Sequence, residues 1–449
     1  MRENRKSGSE GGAGLIPRPD PYPAGQNAHI HVWLTPKIPF RCVPPLKSDA
    51  ILVTFQARLS GLSQHHANPS KNMRENWMIE KSGLGDLDEK IRNGQRLNDE
   101  DALRLYTCPD LNVLGAMANN VNERKNGGRA SYIVNRYINY SNYCILSCQF
   151  CSFSRKKRDQ DGFELSLEEM QTKAREALAL GITELHIVGG LHPSLPFSYY
   201  TDMLRGLKEV SGSLQLKCFT AVEILHLAWL SKQSVDDTLG ALKESGLDSL
   251  TGGGAEIFQP DVRKQIATGK ESAVEYLDVH RRWHKLGGQS TCTMLYGHVE
   301  SLEDRIDHMR QLRELQDETG GFCGFVPLPY QPENNEIPVD RPPTGNSMLR
   351  TIAVARLFLD NFDHITAYWV GMGLKMAQVA LSYGADDLHG TIVEEHIFHM
   401  AGAGSPQGQT ENAMRKAILE AGREPVQRNT FYQPVSKPAT RNNQTVDAH

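Results

Sequence analysis

The sequence predicts an α/β protein whose main domain is a (β/α) barrel of the TIM type, complete or nearly complete. Short apolar runs alternate with amphipathic segments at intervals of about 30 to 45 residues, which indicates parallel strands joined by crossover helices. More than six such units follow one another, and this number favours a barrel over an open sheet. Glycine and polar residues follow the runs, as in VGGLHP, TGGGAE, YGHVE and VGMG, where a barrel carries its active site.

The individual elements can be identified from their ends. The helix SLEEMQTKAREALALG begins with a capping box of Ser166 and Glu169 and stops at Gly181, and the buried strand ELHIVGG follows. The cycle then continues through the strand LQLKCFTAV, the helix SVDDTLGALKESG, the strand LDSLTGGG, the helix SAVEYLDVHRRWHKLGG, the strand STCTMLYGH, the helix SLEDRIDHMRQLRELQDETGG and the strand FCGFVPLPY. A later helix, LRTIAVARLFLDNF, leads to HITAYWVGMG.

This pattern divides the chain into five segments. We predict a helical lead-in at residues 73–130, the barrel at 131–400, a C-terminal helix and extension at 401–433, and a disordered tail at 434–449. Residues 1–72 are rich in proline and poor in apolar periodicity, so they would bury too little apolar surface to offset their ordering entropy. We expect them to be disordered, or to precede a true start at Met73 or Met78.

Composition argues against several classes of partner. Lys plus Arg (49) nearly balances Asp plus Glu (53), so charge gives no reason to expect nucleic acid or an anionic membrane. No apolar run reaches membrane-spanning length, and no apolar core follows the basic N-terminus. Outside one cluster the cysteines are widely spaced, unlike those of a disulfide-stapled domain. We therefore expect a cytoplasmic protein that acts on a small molecule.

Three of the eight cysteines lie within the eight residues CILSCQFC, as Cys144, Cys148 and Cys151. Three thiolates leave one iron of a four-iron cluster with open coordination. A zinc site would need a fourth ligand, and no C-x-x-C or C-x-x-H pair follows downstream. A redox-active C-x-x-C would not need Cys144. An iron–sulfur electron carrier is the alternative of another class, although carriers bind every iron with protein ligands.

The motif C-x-x-x-C-x-x-C, with Phe150 before its last cysteine and at the opening of a βα barrel, resembles that of the radical S-adenosylmethionine (SAM) enzymes. The resemblance implies that the three cysteines hold a 4Fe-4S cluster whose fourth iron binds SAM, the cosubstrate. It also implies a reductant such as flavodoxin or ferredoxin. The cofactor would supply methionine and a 5'-deoxyadenosyl radical, while the protein supplies orientation and exclusion of water.

Further cofactor-binding positions are implied by the same resemblance. VGGLHP is similar to the family's Gly-Gly-Glu element, which contacts the methionyl amine, through Gly189 and Gly190, with Leu191 in place of the usual Glu. Glu223 in FTAVE and Glu256 in GGGAEIF follow predicted strands and are candidates for ribose hydroxyls or substrate. A salt bridge at the barrel rim is the alternative for both.

TMLYGHVE is similar to the family's adenine-binding element through Gly297 and Glu300, although Thr293 stands where that element has its first glycine. Longer strings, among them CSFSR, FTAVEI, GGGAEIF, VPLPYQPENN and EAGREPVQRNTFY, resemble the aminofutalosine synthase family of the futalosine route to menaquinone. The resemblance runs from about Asn76 to Tyr432.

That resemblance implies a radical SAM transferase. The family adds the 5'-deoxyadenosyl radical to 3-[(1-carboxyvinyl)oxy]benzoate and releases 6-amino-6-deoxyfutalosine, bicarbonate and methionine. Two related enzymes share several of the strings and stay as alternatives: dehypoxanthine futalosine cyclase, and the enzyme of F420 biosynthesis that condenses tyrosine with a ribitylaminouracil.

A substrate with two carboxylates needs cationic or hydrogen-bonding partners in the mouth of the barrel. Candidates near the strand ends are His192, Tyr296, His298 and Arg305. Tyr296 could instead pack in the core, and Arg305 could be a solvated helix residue. His280 and His284, four apart on an amphipathic helix without a third ligand, are interpreted as surface histidines rather than a metal site. The sequence identifies no general acid or base.

Overall fold

The computed structural model describes residues 77–435, all within one compact unit of the chain. The predictions for residues 1–72 and for most of the tail at 434–449 lie outside the described residues. No helix in the described part of the chain is long and apolar enough to span a lipid bilayer.

In the described part of the chain, short helices and one strand precede the barrel; a helical segment at residues 77–81 comes first. It is followed by α1 (Gly85–Arg92), α2 (Asp99–Thr107), α3 (Leu111–Asn126) and β1 (Arg129–Ile133). Asn98 accepts a hydrogen bond from the Asp101 N–H and Asp101 accepts one from the Asn98 N–H, so a capping box starts α2. Asp110 caps α3 in the same position. These caps satisfy backbone donors that the first turn of a helix leaves unpaired.

A seven-stranded parallel sheet forms the barrel wall, and its strands are paired in chain order. The strands are β2 (Asn135–Ile138), β3 (Glu184–Ile187), β4 (Gln215–Cys218), β5 (Ser249–Leu250), β6 (Gln289–Tyr296), β7 (Phe322–Pro329) and β8 (His364–Ile365). Parallel neighbours cannot be joined by a hairpin, so each connection crosses over and carries helices.

The crossover helices are α4 (Leu167–Leu178), α5 (Phe197–Val210), α6 (Ala221–Ser231), α7 (Val235–Glu244), α8 (Pro260–Ile266), α9 (Ala273–Lys285), α10 (Leu302–Thr319) and α11 (Gly345–Phe358). The predicted capping box of Ser166 with Glu169 is confirmed at the start of α4. A second capping box, Ser301 with Asp304, starts α10. The remaining elements are α12 (Trp369–Met372), α13 (Leu374–Ala380), β9 (Asp387–Gly390), α14 (Ile397–Met400), α15 (Glu411–Glu420) and β10 (Glu424–Arg428).

The segment around β9 spans the gap between the first and last strands of the seven-stranded sheet. Thr366, directly after β8, forms a parallel bridge with Asp387 at the start of β9. Beyond β9, the carbonyl of Ile392 accepts a hydrogen bond from the N–H of Tyr137 in β2 (2.8 Å). β9 also belongs to a second parallel sheet of order β10-β1-β9. The predicted fold class, a nearly complete α/β barrel, is confirmed.

The interpretation of His280 and His284 as surface histidines is wrong. Their exposed fractions are 0% and 8%, and a nitrogen of each ring lies 2.9 Å from the hydroxyl of Ser290 in β6. The other nitrogen of His284 lies 2.8 Å from the hydroxyl of Thr319. These hydroxyls let polar rings occupy the buried face of α9. Burial lowers the pKa of His284 to about 4, so its ring is neutral at pH 7.

Candidate active site

A cavity of about 280 Å³ lies inside the barrel at the carboxyl ends of the strands. Its wall contains all three clustered cysteines and several of the predicted cofactor-binding residues: Cys144, Cys148, Phe150, Cys151, Gly189, Gly190, Glu223 and Glu256. The structure therefore brings together residues that are more than 100 positions apart in the chain.

The cysteine loop is held in place by hydrogen bonds to its backbone. The Lys156 ammonium donates to the carbonyls of Cys144 (2.9 Å) and Leu146 (2.6 Å). The N–H of Gln149 donates to the carbonyl of Ile266 at the end of α8 (2.9 Å). Lys156 thus holds the first half of the loop, and the end of α8 holds the second half, although the loop has no regular secondary structure.

The three cysteines are half-buried, and their thiols are close enough to affect one another. Burial raises the pKa of Cys148 to about 12, and the neighbouring thiols Cys144 and Cys151 add to the shift. Burial likewise raises the pKa of Cys151. Within residues 77–435 no three His, Cys, Asp or Glu side chains are grouped to hold a single metal ion. A 4Fe-4S cluster does not require such convergence, because each cysteine binds a different iron, so three thiols along one cavity wall fit it.

The glycine pair after β3 packs directly against the cysteine loop. A Cβ on Gly190 would lie 2.3 Å from the Tyr143 carbonyl oxygen and 3.1 Å from the Cβ of Cys144. A Cβ on Gly189 would lie 2.5 Å from the ring of Tyr140. The N–H of Gly190 donates to the carbonyl of Ser141 (2.8 Å). Only glycine permits this approach of two backbone segments.

Gly189 and Gly190 form the glycine turn, and Glu223 in the first turn of α6 fixes its conformation. Its carboxylate accepts hydrogen bonds from the Gly189 N–H (3.1 Å), the Tyr140 hydroxyl (2.7 Å) and both the N–H and hydroxyl of Thr220 (2.7 Å each). Burial raises the pKa of Glu223, and these bonds act in the opposite direction. Glu223 therefore lines the cavity, and the same carboxylate caps α6.

Elsewhere on the cavity wall, Glu256 forms a buried ion pair with Lys270. Glu256 has φ +44°, a left-handed conformation that is uncommon outside glycine. The Lys270 ammonium also lies 5.2 Å from the ring centre of Phe150, which stands between Cys148 and Cys151 in the chain. Burial opposes the charge of Lys270, but Glu256 and Glu271 outweigh it and raise its pKa. Lys270 therefore keeps a positive charge beside the cysteine loop.

Six predicted residues lie outside the cavity wall: His192, Tyr296, Gly297, His298, Glu300 and Arg305. Glu300 instead accepts hydrogen bonds from the backbone N–H groups of Gly297 (2.5 Å) and His298 (2.9 Å) and from Arg305 (2.8 Å). The interpretation of Arg305 as solvated is wrong, because this ion pair leaves only 13% of its side chain exposed. His192 is 1% exposed and bonds Glu164 (2.7 Å). Cofactor or substrate contacts of the six stay predictions.

Deeper in the barrel, the wall contains polar residues that sequence reasoning missed. Tyr137, His186 and Lys217 occupy one row, because strand register pairs Tyr137 in β2 with His186 in β3, and His186 with Lys217 in β4. His389 in β9 lies beside them, its ring centre 6.2 Å from that of His186 and 6.1 Å from that of Tyr137. The available signal was a large polar residue between apolar ones inside a short strand, as in ELHI and QLKC.

Known proteins resemble this chain in both sequence and fold. Residues 138–312 match the model of the radical SAM superfamily, and residues 319–441 match the CofH/MqnC C-terminal region. The aminodeoxyfutalosine synthase of Thermus thermophilus is 44% identical over 351 residues, which cover 77% of this chain and 94% of that protein.

Two further proteins extend the comparison. The cyclic dehypoxanthine futalosine synthase of Streptomyces coelicolor is 38% identical over 360 residues, covering 79% of this chain and 90% of that protein. The crystal structure of methylornithine synthase superposes with a TM-score of 0.62 at 19% identity, covering 76% of this chain and 97% of the other, which shows a common fold. The cysteine-lined barrel and these likenesses agree, and the chain belongs to the radical SAM superfamily, in the group that includes the aminodeoxyfutalosine synthases.

Proposed function

We propose that this enzyme, a radical SAM transferase, is an aminodeoxyfutalosine synthase of menaquinone biosynthesis. Its substrates would be SAM and 3-[(1-carboxyvinyl)oxy]benzoate, and its products 6-amino-6-deoxyfutalosine, bicarbonate and methionine. The observation that carries the proposal is the 44% identity to a named synthase over 94% of that relative's length, together with a cavity that combines the cysteines and an interior of aromatic and cationic side chains.

In this proposal Cys144, Cys148 and Cys151 hold the 4Fe-4S cluster. When bound, the cluster and SAM would supply a 5'-deoxyadenosyl radical for addition to the enolpyruvyl double bond of the substrate. The chain itself positions the reactants. Gly189 and Gly190 border the site with backbone groups, and their lack of side chains keeps the cysteine loop close to β3.

The remaining predicted cofactor residues have supporting roles in the same proposal. Phe150 and Glu256 flank the cysteines through their contacts with Lys270. Glu223 holds the glycine turn in its conformation by accepting the Gly189 N–H. Buried apolar side chains line the cavity between these groups, among them Val188 and Leu191. They exclude water from a reactive radical.

The test is an anaerobic reaction of the reconstituted protein with SAM, a strong reductant and 3-[(1-carboxyvinyl)oxy]benzoate, followed by mass spectrometry. We expect a product in which the adenosyl group is covalently joined to the benzoate skeleton, and none from Cys148→Ala. Formation of only 5'-deoxyadenosine and methionine would refute the assignment of 3-[(1-carboxyvinyl)oxy]benzoate as the substrate. Dehypoxanthine futalosine, and tyrosine with a ribitylaminouracil, are then assayed as the substrates of the related enzymes. If the addition of SAM left the spectrum of the reduced cluster unchanged, the protein would be an electron carrier instead.

A further inference from the structure

A lysine without a counter-ion lies at the inner end of the cavity. Lys217 in β4 is 3% exposed and lines the cavity. No hydrogen bond or ion pair joins its ammonium group to any residue of the described part of the chain, although a buried charge normally requires a partner. Burial lowers the pKa of Lys217, which is the response of a cation that folding has left unpaired.

The other charged side chains of the cavity wall are already engaged. Glu256 and Lys270 pair with each other. Glu223 accepts from the glycine turn, and Glu395 accepts from backbone N–H groups at the start of α14, including that of Phe398 (2.9 Å). Lys217 therefore differs from its neighbours: its charge is available to a molecule that enters the cavity.

Glu184 and Asp387 are the two carboxylates whose charges act most strongly on the Lys217 ammonium, and both bind other groups. Glu184 accepts from the amide of Asn135 (2.9 Å) and the hydroxyl of Thr430 (2.8 Å). Asp387 forms a buried ion pair with Arg428 (2.6 Å). A structural role for Lys217 as the partner of either carboxylate is thus not supported by the contacts.

Aromatic rings surround the space beside Lys217. Tyr137 stacks on His186 with ring centres 4.2 Å apart, and Tyr368 meets His389 edge to face at 5.2 Å. The Nδ1 atoms of His186 and His389 have no hydrogen-bond partner among residues 77–435. Burial lowers the pKa of His389 to about 3 and that of His186 well below its ordinary value. Both rings are therefore neutral at pH 7 and can donate or accept a hydrogen bond.

His389 is also held in an unusual backbone conformation. Its φ is +66°, in the left-handed region, and its N–H donates to the carboxylate of Asp387 (2.9 Å). Strain of this kind in a residue other than glycine persists only where the surroundings enforce it, and it is concentrated at functional sites.

The depth of Lys217 matches the length of an aromatic substrate. Strand register places Lys217 level with His186. Gly189 lies three residues after His186 in the chain. At about 3.3 Å per residue this places the glycine turn roughly 10 Å nearer the cavity mouth. A reactive end beside the glycine turn and the cysteines would thus leave the opposite end of a benzoate-sized molecule near Lys217.

We propose that Lys217 binds the ring carboxylate of the substrate, and that the Tyr137, His186, Tyr368 and His389 rings enclose its benzene ring. This inference rests on the proposed function, and it assigns the substrate's orientation: the carboxyvinyl group faces the cysteines and the benzoate points inward. A buried lysine ammonium forms a charge-assisted hydrogen bond with a carboxylate, one of the stronger polar contacts in proteins.

The test combines one variant with one substrate analogue. The analogue, 2-phenoxyacrylate, lacks the ring carboxylate but keeps the reacting double bond. Lys217→Met retains most of the side-chain length and removes the charge. Dissociation constants are measured anaerobically without reductant on the reconstituted protein, and kcat/KM for adduct formation is measured with reductant. Lys208→Met is the matched control, because Lys208 pairs with Asp248 (2.7 Å) away from the cavity.

We expect the wild type and Lys208→Met to bind the full substrate ~10- to 100-fold more tightly than the analogue. Lys217→Met should bind both molecules with the same weak affinity, while SAM still perturbs its reduced cluster. A wild type that binds the two molecules equally, or a Lys217→Met variant that still prefers the full substrate, overturns the inference. Should the Met variant fail to fold, Lys217→Gln takes its place.

The outcomes also separate this inference from the proposed function. A wild type that forms no adduct with either molecule refutes the proposed function, and the substrate orientation with it. A wild type that forms the adduct but gains nothing from the ring carboxylate refutes the orientation alone.

Discussion

Replacing Gly190 with alanine should damage the cluster site while leaving the barrel folded. The added Cβ would lie 2.3 Å from the carbonyl oxygen of Tyr143, whereas Cβ atoms essentially never approach another atom closer than 3.0 Å. The clash is with backbone, so one of the two segments must move by at least about 0.7 Å. Because Tyr143 directly precedes Cys144, the movement shifts the first of the three cysteines that hold the cluster in the proposed function.

The expected size of the effect follows from that displacement. Overpacking of this kind destabilises a protein by about 1–3 kcal/mol, which a folded domain of this size tolerates. Misplacement of a reacting group by about 1 Å can lower a rate 100-fold. We therefore expect Gly190→Ala to bind less than about half the wild-type iron and sulfide and to cleave SAM ~10- to 100-fold more slowly.

The control is Gly240→Ala in α7. In the described part of the chain, no atom outside the helix's own backbone lies within 4 Å of a Cβ added there, and alanine is favoured over glycine inside a helix by up to about 1 kcal/mol. This variant should keep wild-type iron content and SAM cleavage and unfold at a slightly higher temperature. Full iron content together with wild-type SAM cleavage in Gly190→Ala would refute the structural role assigned to the glycine turn.

Three further variants test individual side chains. Cys148→Ala should abolish cluster binding, measured as iron content, and Cys323→Ala in β7 should retain it. The folded pKa of His284, about 4, lies below its ordinary value, so the unfolded chain binds more protons and stability falls as pH drops from 6.5 towards 4. His284→Gln should reduce that slope by about 1.4 kcal/mol per pH unit in denaturant titrations. Burial raises the pKa of Glu271 to about 7, so its effect has the opposite sign: stability falls as pH rises from 4.5 through 7. Glu271→Gln should therefore be about 1–3 kcal/mol more stable than the wild type at pH 8; an unchanged slope or stability would contradict these pKa assignments.

Local chemistry explains which parts of the fold could be predicted. The capping boxes at Ser166 and Ser301 and the short apolar strands are encoded within a few residues, so they can be read without tertiary information. The strands β1 and β10 were missed because β1 pairs with β9 and β10 pairs with β1 from distant parts of the chain, and their first residues, Arg129 and Glu424, are exposed. Their pairing depends on contacts that no local pattern records.

Burial of polar groups explains the errors at the level of side chains. His280 and His284 resemble surface residues in the helical pattern, but Ser290 supplies the partner that permits their burial. Arg305 resembles a solvated residue for the same reason, and Glu300 supplies its partner. In each case the partner comes from outside the helix that carries the residue, so spacing along the helix could not reveal it.

The candidate site itself has two levels, and only the outer one was accessible from sequence. The cysteines and the glycine turn follow strand ends, where motifs are continuous in the chain. Lys217 and His186 sit singly inside different strands, and only strand register brings them together. Under the proposed function, this outer level holds the cluster and SAM, which related radical SAM enzymes also use, so it does not determine the second substrate. Discrimination between substrates must therefore come from deeper residues such as Tyr137, His186 and Lys217. There, an ammonium group without a partner in the described chain and neutral aromatic rings suit an aromatic carboxylate.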